Sequence, residues 1–280
     1  MRIRSTDDVE LELLDLGGEG TPVLIAHATG FCGGAYRPVA AGLTAAHHVW
    51  ALDFRCHGAS GRPASGDITW QGMIDDVLAA VDAIDDGPVH GLGHSMGGAC
   101  LLGAEARRPG TLRSTYAFEP IVIPPEWEVG TPGENPLAAA ARRRRPSFPS
   151  KADALARYAS RPPLGLLRAD ALAAYVDHGF AEQPDGTVAL RCAPEDEARV
   201  FEAPGKPTLR DMADVDVPVV VARGVREPWG PQAFAPAVAD ALPRGRSRAY
   251  DHLGHFGPFE DPTTVAADAA ALFAENENTF

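Results

Sequence analysis

Gly93-His94-Ser95-Met96-Gly97, followed by Gly98, sets a serine hydroxyl among glycines. The stretch joins an apolar run, Pro88-Val89-His90-Gly91-Leu92, to an Ala-rich helical pattern that begins at Ala99. Serine is a weak nucleophile until a base takes its proton and the backbone holds it clear of its neighbours. The G-x-S-x-G spacing meets the second need, because a sharp strand-to-helix turn tolerates only small residues around the serine. Nucleophilic chemistry at Ser95 then calls for a histidine base, an acid to orient it, and N–H donors for a developing oxyanion. His255, in Leu253-Gly254-His255-Phe256-Gly257, is the candidate base, since it sits in a glycine-flanked loop after the last predicted strand. His252, three residues earlier, lacks that bracketing. Two glutamates respect the order Ser…acid…His. Glu119 ends a predicted central strand in Ala117-Phe118-Glu119-Pro120, and Glu227 lies in Gly224-Val225-Arg226-Glu227-Pro228-Trp229. The strand end places Glu119 where burial beside a histidine is natural, so it is the preferred acid. Glu227 follows an arginine in a Pro/Gly-rich loop, as a surface ion-pair partner would, and stands as the alternative acid.

The elements that must position these residues follow an α/β pattern. Val9–Leu13 alternates like a half-exposed edge strand, whereas Pro22–Ala26 and Val49–Asp53 are continuous apolar runs, as buried parallel strands are. Val89–Gly93, Ser114–Phe118, Val217–Ala222 and Ser247–Tyr250 complete the strand series. Helical patterns lie between them, notably Ile74–Val81, and a last helix begins with Pro262 in its first turn. Between Ile121 and Asp216 the alternation stops. Pro136–Arg145, Lys151–Ser160, Ala169–Phe180 and Pro194–Ala203 read as short helices, and Asp185-Gly186 as a turn before a short strand at Thr187–Leu190. So long a stretch is not one loop. It predicts a helical cap at residues 122–213, inserted between core segments 1–121 and 214–280. The run Arg142–Arg145 reads as solvated cations at a helix end.

Composition narrows the partners. Apolar residues at 45% and charged residues at 22% match a folded protein with a substantial core. A formal charge of −13 argues against a nucleic-acid partner. No apolar run approaches the roughly 18–20 residues of a membrane span, and Met1–Asp8 lacks a signal-peptide pattern. Cys32, Cys56, Cys100 and Cys192 are scattered, with no C-x-x-C pair, which predicts packed free thiols in a reducing, cytoplasmic setting and no zinc site. The expected partner is a small-molecule substrate; oligomeric state carries no sequence signal.

Taken in order, His27-Ala28-Thr29-Gly30-Phe31 after one strand, Asp53-Phe54-Arg55-Cys56-His57-Gly58 after the next, the Ser95 turn and His255 resemble the α/β-hydrolase superfamily over nearly the whole chain outside the cap. The resemblance implies an eight-stranded, mostly parallel sheet with helices on both faces, a cap between strands six and seven, and a Ser–acid–His triad with no metal or organic cofactor. It assigns the oxyanion donors to the backbone N–H groups of Met96 and Thr29, with Ala28 standing where the family commonly has glycine. It makes Asp53, Arg55 and His57 a structural loop. It also places some branches' acid at the position of Glu119, although most relatives use the position of Glu227. Phe31, Trp127 and His94 are candidates for the substrate pocket, with Tyr36 and Trp229 as further aromatic walls. A serine in place of a nucleophilic aspartate excludes dehalogenase and epoxide-hydrolase chemistry and points to acyl transfer. The expected reaction is hydrolysis of a small to medium, fairly apolar ester, lactone or thioester. Two other readings fit the same pattern: carbon–carbon bond hydrolysis of vinylogous diketone acids, marked by convergent basic side chains, and a ligand receptor with negligible turnover.

Overall fold

The continuous apolar runs at 22–26 and 49–53 become central strands of the protein. The computed structural model describes residues 1–84, 87–124, 135–227 and 230–277. Its strands are β1 (Arg2–Arg4), β2 (Glu10–Asp15), β3 (Pro22–Ala26), β4 (His48–Asp53), β5 (Val89–His94), β6 (Leu112–Phe118), β7 (Ser147–Phe148), β8 (Phe180–Glu182), β9 (Val188–Leu190), β10 (Val219–Gly224) and β11 (Gly245–Tyr250). Eight form one sheet in the order β1-β2-β4-β3-β5-β6-β10-β11. The β1–β2 and β2–β4 pairs are antiparallel, and every later pair is parallel. Every residue of β3 and β5 is buried, which explains their lack of apolar–polar alternation.

The helices are α1 (Arg37–Ala40), α2 (Trp70–Ile84), α3 (Met96–Arg107), α4 (Pro136–Arg142), α5 (Lys151–Ala159), α6 (Ala169–Gly179), α7 (Pro194–Glu202), α8 (Ala235–Ala241), α9 (Gly257–Glu260) and α10 (Pro262–Glu275). Side chains of α2, α3 and α8 pack with Leu24, Leu52 and Val219 in one core. Side chains of α1 and α10 pack with Val23, Ile25 and Val49 in the other. The sheet therefore has helices on both faces. Asp261 caps α10, its carboxylate accepting from Thr264 N–H at 3.1 Å, with Pro262 in the first turn as expected.

Residues between β6 and β10 build helices α4–α7 within a residue or so of the expected spans, except that α4 stops at Arg142 instead of running to Arg145. They also build a small antiparallel sheet in the order β7-β9-β8. The sequence signalled only β9. Strands of two or three residues leave too little pattern to see, and β8 continues directly from α6. Strand β1 escaped notice for the same reason. The two ends of the insert are fastened together: Ile123 N–H donates to Pro207 O at 3.0 Å and Leu209 N–H to Ile123 O at 3.1 Å. Phe148, Leu172, Tyr175 and Phe180 of the insert join the second core, and Val200 of α7 joins the first. No helix among the described residues is long and apolar enough to cross a membrane.

One buried ion pair holds the loop after β4. Arg55 donates from Nε and Nη2 to the two oxygens of Asp76 on α2, at 2.9 and 2.7 Å, and its own N–H reaches Asp76 Oδ2 at 3.1 Å. Both side chains are almost wholly buried. Removing one partner strands the other charge away from water. Asp76→Ala is therefore expected to lower stability by about 3–5 kcal/mol, read as a reduced urea midpoint, whereas removal of an exposed pair such as Arg246–Glu275 should shift it by less than about 1 kcal/mol.

Candidate active site

The C-terminal ends of β3, β4, β5, β6, β10 and β11 lie along one edge of the sheet, where loops of an open α/β sheet gather functional groups. Ser95 follows β5 directly, with φ 54° and ψ −115°. Its N–H donates to Phe118 O at 2.9 Å, and its C=O accepts from Ala99 and Ile121 N–H, both at 3.2 Å. The glycines around it are required by contact. A Cβ on Gly93 would collide with the backbone of Gly98, and one on Gly97 with the Ala26 carbonyl. With α3 pressed this close to β3 and β5, Ser95 is forced into a conformation that non-glycine residues seldom adopt. Ser95 is buried, at 7% exposure.

The two glutamates are sharply separated. Glu119, also at positive φ (45°), is wholly buried. Its Oε2 stands 2.6 Å from His255 Nδ1, and its Oε1 accepts Gly224 N–H at 2.9 Å. Among the described residues this leaves Nε2 of the His255 ring without a partner, and the ring is partly exposed. Glu227 reaches the same histidine through the backbone: its Oε2 accepts His255 N–H at 3.0 Å, while Oε1 accepts from Arg226 Nη2 at 2.8 Å. Burial works against the Glu227 charge, but Arg226 and the His255 N–H outweigh it and hold the carboxyl below its ordinary range. The structure thus brings Glu119 to the imidazole and Glu227 to the main chain. His252 points away, exposed, 3.3 Å from Asp261.

Beside Ser95, the Thr29 hydroxyl donates to Met96 Sδ at 3.4 Å, so the β3 loop meets the first turn of α3. The helix N-terminus there presents N–H groups and a positive dipole end. His94 is completely buried, behind Ser95 in the chain, with both ring nitrogens engaged. Because the His255 carbonyl can only accept, His94 Nε2 donates to it at 2.8 Å, and Nδ1 accepts from Tyr36 O–H at 2.8 Å. The Tyr36 oxygen in turn accepts Ala28 N–H at 3.1 Å. One unbroken chain therefore links the β3 loop, the turn at Ser95 and the His255 loop. His57 does similar work. Its Nε2 accepts Gly30 N–H at 3.1 Å while Nδ1 faces Arg55 O at 2.9 Å. His27 Nε2 accepts Phe54 N–H at 3.1 Å.

An aromatic cluster packs at this edge. Phe31 stacks on Phe259 (4.6 Å between ring centres) and tilts against Tyr175 and Phe256. Phe256 also lies 5.4 Å from the His255 ring. Tyr36, read from sequence as a further wall, is instead buried in the hydrogen-bond chain. Trp127 and Trp229 lie outside the described residues. From the insert, Tyr175 O–H donates to Gly30 O at 3.3 Å, and Arg144 Nη1 bonds Glu197. These insert contacts were missed. The reading of Arg142–Arg145 as solvated cations fails for Arg144, whose side chain is only 21% exposed. It lies two residues past the end of α4, where helical phase no longer predicts its direction.

A family model described as "Alpha/beta hydrolase family" matches residues 23–269. The chain belongs to the alpha/beta hydrolase family. Among similar proteins, (E)-2-((N-methylformamido)methylene)succinate hydrolase of Acinetobacter baylyi is 31% identical over 116 residues, 38% of this chain and 44% of that enzyme. A putative non-heme bromoperoxidase, BpoC, of Mycobacterium tuberculosis is 26% identical over 269 residues, covering 93% of this chain and 96% of that protein. Of solved structures, E-2-(acetamidomethylene)succinate hydrolase superposes with a TM-score of 0.76 at 20% identity (98% of this chain, 99% of the other). The enol-lactonase of Burkholderia xenovorans LB400 gives 0.73 at 19% (98% and 100%). The expected fold, an eight-stranded mostly parallel sheet with helices on both faces, is that of the family.

Three of the histidines on this edge are uncharged links. Burial drives His27, His57 and His94 below the ordinary imidazole range; the partial opposition of nearby carbonyls, and around His57 of nearby carboxylates, does not restore it. A base whose folded pKa is depressed leaves the unfolded chain holding more protons once the pH falls below the free value, about 6.5 for histidine. Stability from these three groups is complete above pH 6.5 and declines as the pH drops below it. Asp53 acts in the opposite sense, burial lifting its carboxyl to about 6, but it is one group against three. Melting temperature is expected to fall between pH 7.5 and 5.5, and a flat profile in thermal melts would contradict the assignment of these rings as neutral.

Proposed function

We propose that this alpha/beta hydrolase is a serine hydrolase in which Ser95 is the nucleophile, His255 the general base and Glu119 the acid that orients it. The observation carrying this reading is the 2.6 Å contact of the buried Glu119 carboxylate with His255 Nδ1, on the same sheet edge as the strained turn at Ser95. Glu119 fixes the tautomer with the proton on Nδ1, so Nε2 is free to accept a proton. Ser95 Oγ attacks the substrate carbonyl carbon and its proton passes to His255 Nε2. The tetrahedral oxyanion is held by the N–H groups of Met96 and Thr29. Collapse expels the alcohol or thiol, which leaves with the proton from His255. Water then gives a proton to His255 and attacks the acyl-enzyme, releasing the acid and restoring Ser95.

The insert at 122–213 acts as a cap whose Tyr175 closes over Gly30, and the Phe31–Phe256–Tyr175 wall suits a small to medium, fairly apolar acyl group. An ester, lactone or thioester is the substrate class proposed. The similar proteins named above include succinate hydrolases and an enol-lactonase, which supports hydrolysis of a small molecule. Carbon–carbon hydrolysis of vinylogous diketone acids would call on convergent, unpartnered cations, and Arg144, beside the oxyanion loop, is already partnered by Glu197.

Ser95→Ala is expected to reduce hydrolysis of 4-nitrophenyl esters to background in a protein with an unchanged melting temperature. Retained turnover in that folded variant would remove the mechanism. Glu119→Gln should lower kcat by on the order of 10³–10⁴, because the amide cannot hold the same tautomer, whereas Glu227→Gln, at a partly exposed ion pair, should cost less than about tenfold. The reverse ranking would move the acid to the loop after β10.

A further inference from the structure

Arg144 and Glu197 occupy an unusual place. Arg144 follows α4 and Glu197 sits on α7, yet both reach across to the loop after β3. A Cβ built on Gly30 would stand 2.7 Å from Glu197 Oε1 and 3.1 Å from Arg144 Nη1. Gly30 adjoins Thr29, and its carbonyl accepts the Tyr175 hydroxyl, which itself takes a hydrogen bond from Arg144 Nη2 at 2.5 Å. The Tyr158 hydroxyl lies 3.5 Å from the same nitrogen. The guanidinium is therefore occupied on Nη1 by a carboxylate and on Nη2 by two tyrosines. Both charges are mostly withdrawn from water, with side-chain exposures of 21% and 10%.

An unpartnered, half-buried guanidinium at this point would be a carboxylate receptor, since arginine binds carboxylates in a fork geometry that also fixes their orientation. Glu197 cancels that capacity. It also adds a negative charge beside Gly30, where a second carboxylate arriving on a substrate would meet a like charge in a poorly hydrated setting. We propose that Glu197 is a specificity-determining residue that masks Arg144 and restricts the site to substrates with an uncharged acyl end. This rests on the serine-hydrolase reading above and names its substrate class.

The test uses two esters with the same leaving group, 4-nitrophenyl hexanoate and mono(4-nitrophenyl) adipate, which differ in a terminal carboxylate. Wild-type protein is expected to prefer the hexanoate in kcat/KM. Glu197→Gln leaves the guanidinium charge unneutralised and should raise the adipate-to-hexanoate ratio by about tenfold or more, the range of one charge-assisted hydrogen bond. A ratio unchanged within twofold, or a wild-type preference for the adipate, overturns the proposal. Should Glu197→Gln fail to fold, Arg144→Gln reads the same charge from the other side and should lower the ratio; no change there also overturns it. A binding arm separates this failure from failure of the hydrolase reading. Calorimetry on Ser95→Ala protein should show dimethyl adipate binding more tightly than monomethyl adipate, and the order should narrow or invert once Glu197→Gln is added. If wild type turns over neither ester but the binding order shifts as stated, the chemistry is wrong and the charge selection stands. If the esters are cleaved and neither arm moves, the selection is wrong and the chemistry stands.

Discussion

Everything at the candidate site depends on how closely the first turn of α3 approaches the ends of β3 and β5. Gly93, Gly97 and Gly98 allow backbone to meet backbone there without an intervening side chain. The closeness tilts Ser95 into positive φ, and its N–H and C=O are tied to Phe118, Ala99 and Ile121. Local strain of this kind persists only where the surroundings over-determine it. Here the over-determination comes from a buried parallel strand on each side and a helix that cannot retreat without opening the core.

The second organising device is the uncharged imidazole used as a tie between loops. In His27, His57 and His94 one nitrogen accepts and the other faces a main-chain carbonyl; His27 and His57 accept from a main-chain N–H and His94 from the Tyr36 hydroxyl, so each ring ties two segments with a fixed direction. A charged ring could only donate, and would break the accepting half of each tie. Burial, which disfavours the imidazolium, is thus part of how these loops keep their relative positions. His255 differs in being partly exposed, with a carboxylate on one nitrogen and the other unclaimed among the described residues.

Much of the fold was legible because its signals are local. Buried parallel strands appear as unbroken apolar runs, and helices of the insert appear as runs of helix formers joined by Pro- or Gly-bearing turns. Strand β1 was not legible, since Arg2-Ile3-Arg4 has no pattern of its own and becomes a strand only by pairing with β2. At the site, Ser95, His255 and both glutamates were recognisable from their loops. Which glutamate meets the ring and which the main chain is a through-space fact that residue order does not carry. Tyr36 was recognised as an aromatic near the site, but its hydroxyl, the part that matters, joins residues 28 and 94 across the fold. Arg144 and Glu197 were invisible for a related reason: they come from separate segments and converge only once the insert has folded.

The fastening of Ile123 to Pro207 and Leu209 has a bearing on how such a protein varies. The main chain leaves the sheet after β6 and comes back to it before β10 through a hydrogen-bonded neck, and β6 and β10 pair in parallel as neighbours. Beyond this neck the insert is still tied to the body, for Phe148, Leu172, Tyr175, Phe180 and Val200 sit in the two cores and Arg168 N–H donates to Phe259 O at 2.9 Å. A change in its helices is therefore felt in the packing around the Ser95 edge, and the two parts vary together.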